Sequence, residues 1–182
     1  MKTMVLSAVA DREIHRQVRH QLSERGDRVR WIDLAEAAFG SCIACGGCAK
    51  AGRCVLQDDF TGIVAEMATC ERVVLLSPIF LGVHHRLMKK AVDRFMPLGG
   101  GSFAVRQGEM HHQSRMERPF SMVGLGLLGD DTANDEVDTF KMLIARHAVN
   151  LACPCHAALV VRRGGDASAD LAGALERTER AQ

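Results

Sequence analysis

A chain of 182 residues is long enough to bury a core of its own and is expected to form one domain, residues 1–182. Its 23 Lys and Arg nearly balance 22 Asp and Glu, which excludes a global field drawing it to nucleic acid or to anionic lipid. No apolar run approaches the roughly eighteen residues that cross a bilayer, and the stretch before Ala8-Val9-Ala10 is too short for a secretory segment, so no membrane partner and a cytoplasmic, reducing setting are expected.

Short apolar runs alternate with amphipathic stretches along the chain, which predicts an α/β fold on a parallel sheet. Lys2–Val9 reads as a first strand, and Asp11–Arg25 as a helix burying Ile14, Val18 and Leu22, stopped by Gly26. Arg28–Leu34 is an alternating strand, followed by a cysteine-rich loop, 41–58. Asp58 or Asp59 is then placed to cap a helix through about Ala68 that buries Ile63, Val64 and Met67. The unbroken apolar run Arg72–Ser77 belongs at the centre of the sheet. A helix is predicted over Val83–Met96, with Leu87, Met88, Ala91, Val92 and Phe95 inward.

Residues 97–118, rich in glycine, arginine, histidine and glutamine, read as a long mobile loop serving function or oligomer contact, with Gly99–Ser102 as a hinge. A strand in Pro119–Gly129, a helix from Thr132 or Asn134 to Asn150, a strand in Cys155–Val161 and a helix over Ala167–Arg180 complete the pattern. Five strands with intervening helices fit a flavodoxin-like three-layer sandwich of order 2-1-3-4-5, whose ligands sit beyond the carboxyl ends of the strands.

Four of the seven cysteines fall within thirteen positions as C-x2-C-x2-C-x5-C: Cys42, Cys45, Cys48 and Cys54. A reducing compartment and an odd count argue against a disulfide framework. Successive two-residue gaps suit the ligands of an iron-sulfur cluster better than paired zinc knuckles, while Gly46, Gly47 and Gly52 permit the tight turns and Lys50 and Arg53 offset an anionic centre. Zinc, redox-active thiols and free thiols remain the competing readings. Cys70, Cys153 and Cys155 read as structural thiols. His84, His85, His111 and His112 are candidates for a metal or proton-transfer role, with solvated loop histidines as the simpler account.

The segments Cys42–Phe60, Leu75–Phe95 and Met122–Gly129 together resemble the NAD(P)H-dependent FMN reductase superfamily, and within it the iron-sulfur flavoproteins. The resemblance implies FMN and a 4Fe-4S cluster on Cys42, Cys45, Cys48 and Cys54. Ser77, Pro78, Ile79, Phe80, Leu81 and Gly82 are then expected to line the isoalloxazine, with Gly124, Gly126 and Leu127 near its other edge. Lys89 or Lys90, Asp93 and Arg94 are expected to hold the helix and subunit contacts. It further implies electron input from NAD(P)H or a protein donor, and a homodimer or homotetramer with the cluster beside FMN across the interface.

Where relatives carry a Gly- and Thr-bearing phosphate loop after the first strand, this chain has "SAVADREIH": Ser7 and Arg12 remain as phosphate ligands, while Asp11 and Glu13 oppose a dianion. Phe80 stands where the family has Tyr. The leading expectation is an FMN-dependent oxidoreductase or electron-transfer protein. The alternatives are a flavodoxin-like protein that has lost FMN and serves as a cluster-based sensor or partner-binding protein, and a flavoprotein without the cluster.

Overall fold

The structure is a computed structural model that describes residues 1–129 and 133–179. In chain order its elements are β1 (Lys2–Ser7), α1 (Arg12–Glu24), β2 (Arg28–Asp33), α2 (Gly47–Ala51), α3 (Asp59–Met67), β3 (Arg72–Phe80), β4 (Val83–His84) and α4 (Arg86–Val92). A 3-10 turn (Asp93–Leu98) follows, then β5 (Gly99–Arg106), β6 (Glu109–Ser114), β7 (Ser121–Leu128), α5 (Asn134–Asn150), β8 (His156–Arg162) and α6 (Ser168–Arg177). The strands β2-β1-β3-β7-β8 pair in parallel, which is the expected 2-1-3-4-5 order when the parallel strands alone are counted.

Alternation along the strands divides the core in two. Val5, Val74 and Val123 lie in one register across the sheet and pack with Ile14, Val18 and Leu22 of α1 and Leu171, Ala174 and Leu175 of α6. Their neighbours Met4, Val73 and Met122 face the opposite way, toward Phe60 of α3, Met88 of α4 and Phe140 and Ile144 of α5. The predicted stop at Gly26 takes Schellman form: Gly26 has φ +68, its amide donates to Ser23 O, and the Asp27 amide donates to Leu22 O.

Gly124 and Gly126 on β7 mark the contact with α5. A Cβ on Gly124 would lie 2.4 Å from Ile144, and one on Gly126 2.6 Å from Ile79 and 2.9 Å from Phe140. The missing side chains let the helix close on the sheet.

Three predicted boundaries need correction. The helix expected over Val83–Met96 begins at Arg86, because Leu81 (φ 50) and Gly82 (φ 75) form a two-residue left-handed turn that folds Val83–His84 back onto Ile79–Phe80. It then tightens into 3-10 geometry from Asp93. The expected mobile loop 97–118 is instead an antiparallel hairpin, β5–β6, turned at Gln107 (φ 52) and Gly108 (φ 78), and Gly99–Ser102 belongs to its first strand. The candidate helix ends Thr132 and Arg180 lie outside the described residues.

At the amino edge of the sheet a buried ion pair ties the start of β3 to the α1–β2 turn and to α6. Arg72 Nη1 donates to Asp27 Oδ2 at 2.8 Å and Arg72 Nη2 to Leu175 O at 3.0 Å, while Thr3 Oγ1 donates to the same carboxylate at 2.6 Å. Neither charged side chain reaches solvent, so removing one partner strands the other. Asp27→Ala is expected to cost about 3–5 kcal/mol, read as a fall in the urea midpoint; a loss of less than about 1 kcal/mol would show that the pair does not hold this edge.

Candidate functional site

The strand order reverses between β1 and β3, the point at which open α/β sheets bind ligands beyond their carboxyl ends. Ser7 pairs with Leu76 there, and the Ala8 amide donates to Leu76 O at 2.8 Å, so the β1–α1 connection and the end of β3 are neighbours.

The end of β3 is held from several sides. The Ser77 hydroxyl donates to Pro78 O at 2.9 Å and accepts from the His85 amide at 3.1 Å, which ties the outgoing strand to its return. Gly82 N donates to Glu136 Oε2 at 3.0 Å, and a Cβ at Gly82 would lie 2.8 Å from Thr139. Ile79 is buried and Pro78 half-buried, whereas Phe80 is 66% and Leu81 71% exposed. Two large apolar side chains are therefore presented to solvent on an anchored turn. A cleft of about 540 Å³ between β2 and α3, lined by Trp31, Asp33, Asp59 and Glu66 among others, contains none of these residues.

The β1–α1 connection is only residues 8–11. Asp11 caps α1, its Oδ1 accepting from the amides of Glu13 (2.9 Å) and Ile14 (3.3 Å). The Ser7 hydroxyl is buried, 2.9 Å from His15 Nε2, and Arg12 is exposed. Burial first of all holds the His15 imidazole below its ordinary range. For FMN the fit is divided: the Phe80–Leu81 turn offers the ring an apolar surface, while for a phosphate the Ser7 hydroxyl and the first amides of α1 are engaged within the chain and Arg12 alone of the candidates is exposed. Gly124 and Gly126 are sealed beneath α5.

The cysteine segment is shaped by left-handed residues, Ala44 (φ 52), Gly46 (φ 69) and Gly52 (φ 69), around the single turn α2. Cys45 is exposed, Cys42, Cys48 and Cys54 are half-buried, and all seven cysteines are free thiols. Among the described residues no three or more His, Cys, Asp or Glu side chains are gathered to hold a metal ion. The donors are chemically those of an iron-sulfur ligand set, but as placed they do not fit a cluster.

What the sequence did not show is how this segment is fastened. Arg94, buried and predicted to serve subunit contacts, points inward and grips Asp58 through Nη1 and Nη2, both at 2.8 Å. Its Nη1 also donates to Gly40 O at 2.8 Å, and Asp58 Oδ2 accepts from Gly40 N at 2.9 Å. Asp59 Oδ2 accepts from Ala38 N at 2.8 Å. The paired aspartates thus close the neck of the loop, and Asp58, although at the N-cap position of α3, gives its side chain no cap bond there. The guanidinium also feels Cys54. Arg115 ties α2 to the hairpin, donating to Ala49 O and Gly99 O.

The candidate histidines are dispersed. His111 Nδ1 pairs with Asn150 Oδ1 at 2.9 Å and His112 Nδ1 with Gly100 O at 2.8 Å. His84 is buried and stacks on His147 at 5.4 Å between ring centroids, a partner the sequence did not single out. Burial pushes His84 down to about 3 and His147 to about 4, so both are neutral near pH 7. Burial raises the Cys70 thiol and pushes Cys153 up to about 12, in keeping with structural thiols. No described helix is long and apolar enough to cross a membrane.

No protein-family model matches the chain. An iron-sulfur flavoprotein of Methanocaldococcus jannaschii is 30% identical over 83 residues, 46% of this chain and 43% of that protein. The match therefore spans less than half the length of that relative. Among solved structures, an NAD(P)H:quinone oxidoreductase from Methanothermobacter marburgensis superposes with a TM-score of 0.64 at 16% identity, over 98% of this chain and 95% of the other. An FMN-dependent NADH-azoreductase from Bacillus anthracis str. Ames Ancestor, in complex with FMN, gives 0.64 at 14% identity over 97% and 95%. Relatives named iron-sulfur flavoprotein and neighbours with this same fold stand where the sequence resemblance pointed.

The Asp58 carboxyl is held down at about 2, chiefly by its hydrogen bonds from Arg94 and further by the Gly40 amide. Because the folded value lies below the ordinary one, its stabilisation is present above about pH 4 and is lost as the pH falls toward 2, an effect of about 2 kcal/mol. Urea midpoints measured from about pH 5 to 2 are expected to fall more steeply for the native chain than for Asp58→Asn; parallel curves would refute the clamp.

Proposed function

We propose that the chain is a flavin-dependent redox protein, an oxidoreductase that holds the isoalloxazine of FMN at the carboxyl end of β3. The observation that carries this reading is the Phe80–Leu81 turn: exposed apolar surface at the strand-order reversal, anchored by Ser77, His85 and Glu136. The fold shared with an azoreductase solved with FMN and the name of the sequence relatives support it.

When bound, FMN would supply acceptance of hydride from NAD(P)H, or of electrons from a protein donor, and release of electrons singly or in pairs. The chain's own part is positional. The Ser77 hydroxyl bridges outgoing and returning backbone, Glu136 fixes the Gly82 amide, and Phe80 and Leu81 would shield the ring from water. Ser7 and Arg12 border the same edge from β1 and α1. The reading extends to a 4Fe-4S cluster on Cys42, Cys45, Cys48 and Cys54, supported by the thiol spacing and the relatives' name; it requires the loop to draw the four sulfurs together. A homodimer or homotetramer completes the proposal, with a second copy covering the exposed turn.

Titration with FMN is expected to give saturable quenching of flavin fluorescence and NADH oxidation with a quinone acceptor. Replacing Phe80 and Leu81 together by Ser should weaken binding by roughly tenfold or more, as expected for removing apolar contact of this size. Absence of binding by the native chain would sink the proposal. In a separate test, anaerobic reconstitution with iron and sulfide should load the native chain, and Cys48→Ala should lose most of that iron. Full iron retention by the variant would remove the ligand assignment.

A further inference from the structure

At the β1–α1 connection the Ser7 hydroxyl and the Glu13 and Ile14 amides, which could hold a phosphate, are engaged within the chain, and Arg12 is left exposed. A helix N-terminus binds anions through its first free amides, and at α1 the amides of Glu13 and Ile14 donate to the Asp11 carboxylate at 2.9 and 3.3 Å. The anion at this helix start is the chain's own.

The neighbouring groups repeat the arrangement. The buried Ser7 hydroxyl lies 2.9 Å from His15 Nε2 and accepts from the Val9 amide at 3.3 Å, so it has little left to offer a ligand. Glu13 adds a second carboxylate in the first turn. Arg16 is occupied with it, donating to both its oxygens at 2.7 and 2.6 Å, and Gln17 donates to it at 2.9 Å. The connection itself is only residues 8–11, and among the described residues Arg12 and Arg19, which line one surface cleft with His15 and Arg16, are the nearby cations outside the Glu13–Arg16 pair. A dianion brought here would meet the Asp11 and Glu13 carboxylates in the first turn of α1, with Arg12 exposed beside them. The apolar turn at Phe80–Leu81 is independent of these groups.

We infer that Asp11 is a built-in substitute for the flavin phosphate, so that the chain recognises the isoalloxazine and not the phosphate and takes uncharged-tail flavins such as riboflavin as readily as FMN. Asp11 is on this account the specificity-determining residue of the flavin site, an inference that rests on the flavin reading above.

Fluorescence titrations of the full chain with riboflavin and with FMN test it, alongside Asp11→Ser, which keeps a capping hydroxyl and removes the charge. For the native chain the two dissociation constants should agree within about threefold, and the variant should bind FMN about tenfold more tightly with riboflavin unchanged, the size expected for an anion at a helix N-terminus. That gain should shrink in high salt. Asp11→Asn, an equally good cap, serves if the serine variant does not fold. Native affinity for FMN exceeding that for riboflavin by tenfold or more would overturn the inference and leave the flavin reading intact. Equal tightening of both flavins in the variant, or of neither, would also overturn it, since Asp11 would then act through the fold. Failure of both flavins to bind either protein would instead remove the flavin reading itself.

Discussion

The ion pair between Arg94 and Asp58 is the constraint on which the cysteine segment depends. Arg94 comes from the 3-10 turn after α4 and Asp58 from the start of α3, 36 residues apart in sequence, and both also bond the backbone of Gly40. The neck of the loop is thus closed by one bidentate contact and two main-chain contacts. Below it, Phe60 stacks between Phe39 (4.7 Å) and Phe95 (6.2 Å), so the residues flanking the pair are fixed by aromatic packing. A guanidinium buried this deeply is costly to leave unpaired, which makes the closed neck a condition of the folded state.

The cysteine segment and the apolar turn at the end of β3 are fastened by different contacts. The cysteine loop is held by Arg94 and Arg115, and its short helix packs on the 3-10 turn and the first strand of the hairpin. The apolar turn at the end of β3 is held by Ser77, His85, Glu136 and Thr139. The two sets of anchors share no residue, although His85 caps α4 and the turn that follows α4 carries Arg94.

The sequence made the periodic elements legible and concealed those defined by long-range contacts. Ile14, Val18 and Leu22 mark one helix face, and the unbroken run Val73–Leu76 marks a strand covered on both sides; both readings need only local spacing. The hairpin was hidden because Gln107-Gly108 is not among the usual two-residue turn pairs and Phe103, Val105 and Met110 face solvent, which blurs the alternation of a half-buried strand. Gly124 and Gly126, placed near the ring's other edge by the resemblance, are also what the close packing of α5 on β7 requires. The Asp58–Arg94 pair has no periodic signature. In contrast, the charges of Asp11 and Glu13 are legible in the sequence as opponents of a phosphate.

The exposed turn owes its rigidity to what lies beneath it. His84, two residues after Gly82, has both ring nitrogens buried without a partner among the described residues, and it meets Phe140 edge-on and His147 face to face. An imidazole pair kept neutral by burial behaves as aromatic packing, and it seats β4 against α5. The left-handed turn is then fixed from below by this stack and from the side by Glu136 and Thr139. Phe80 and Leu81 are consequently exposed without being free to collapse inward. A surface ordered before its ligand arrives loses less entropy on binding, which favours recognition of a flat apolar ring at this edge over recognition of a charged tail at a helix start that is already neutralised.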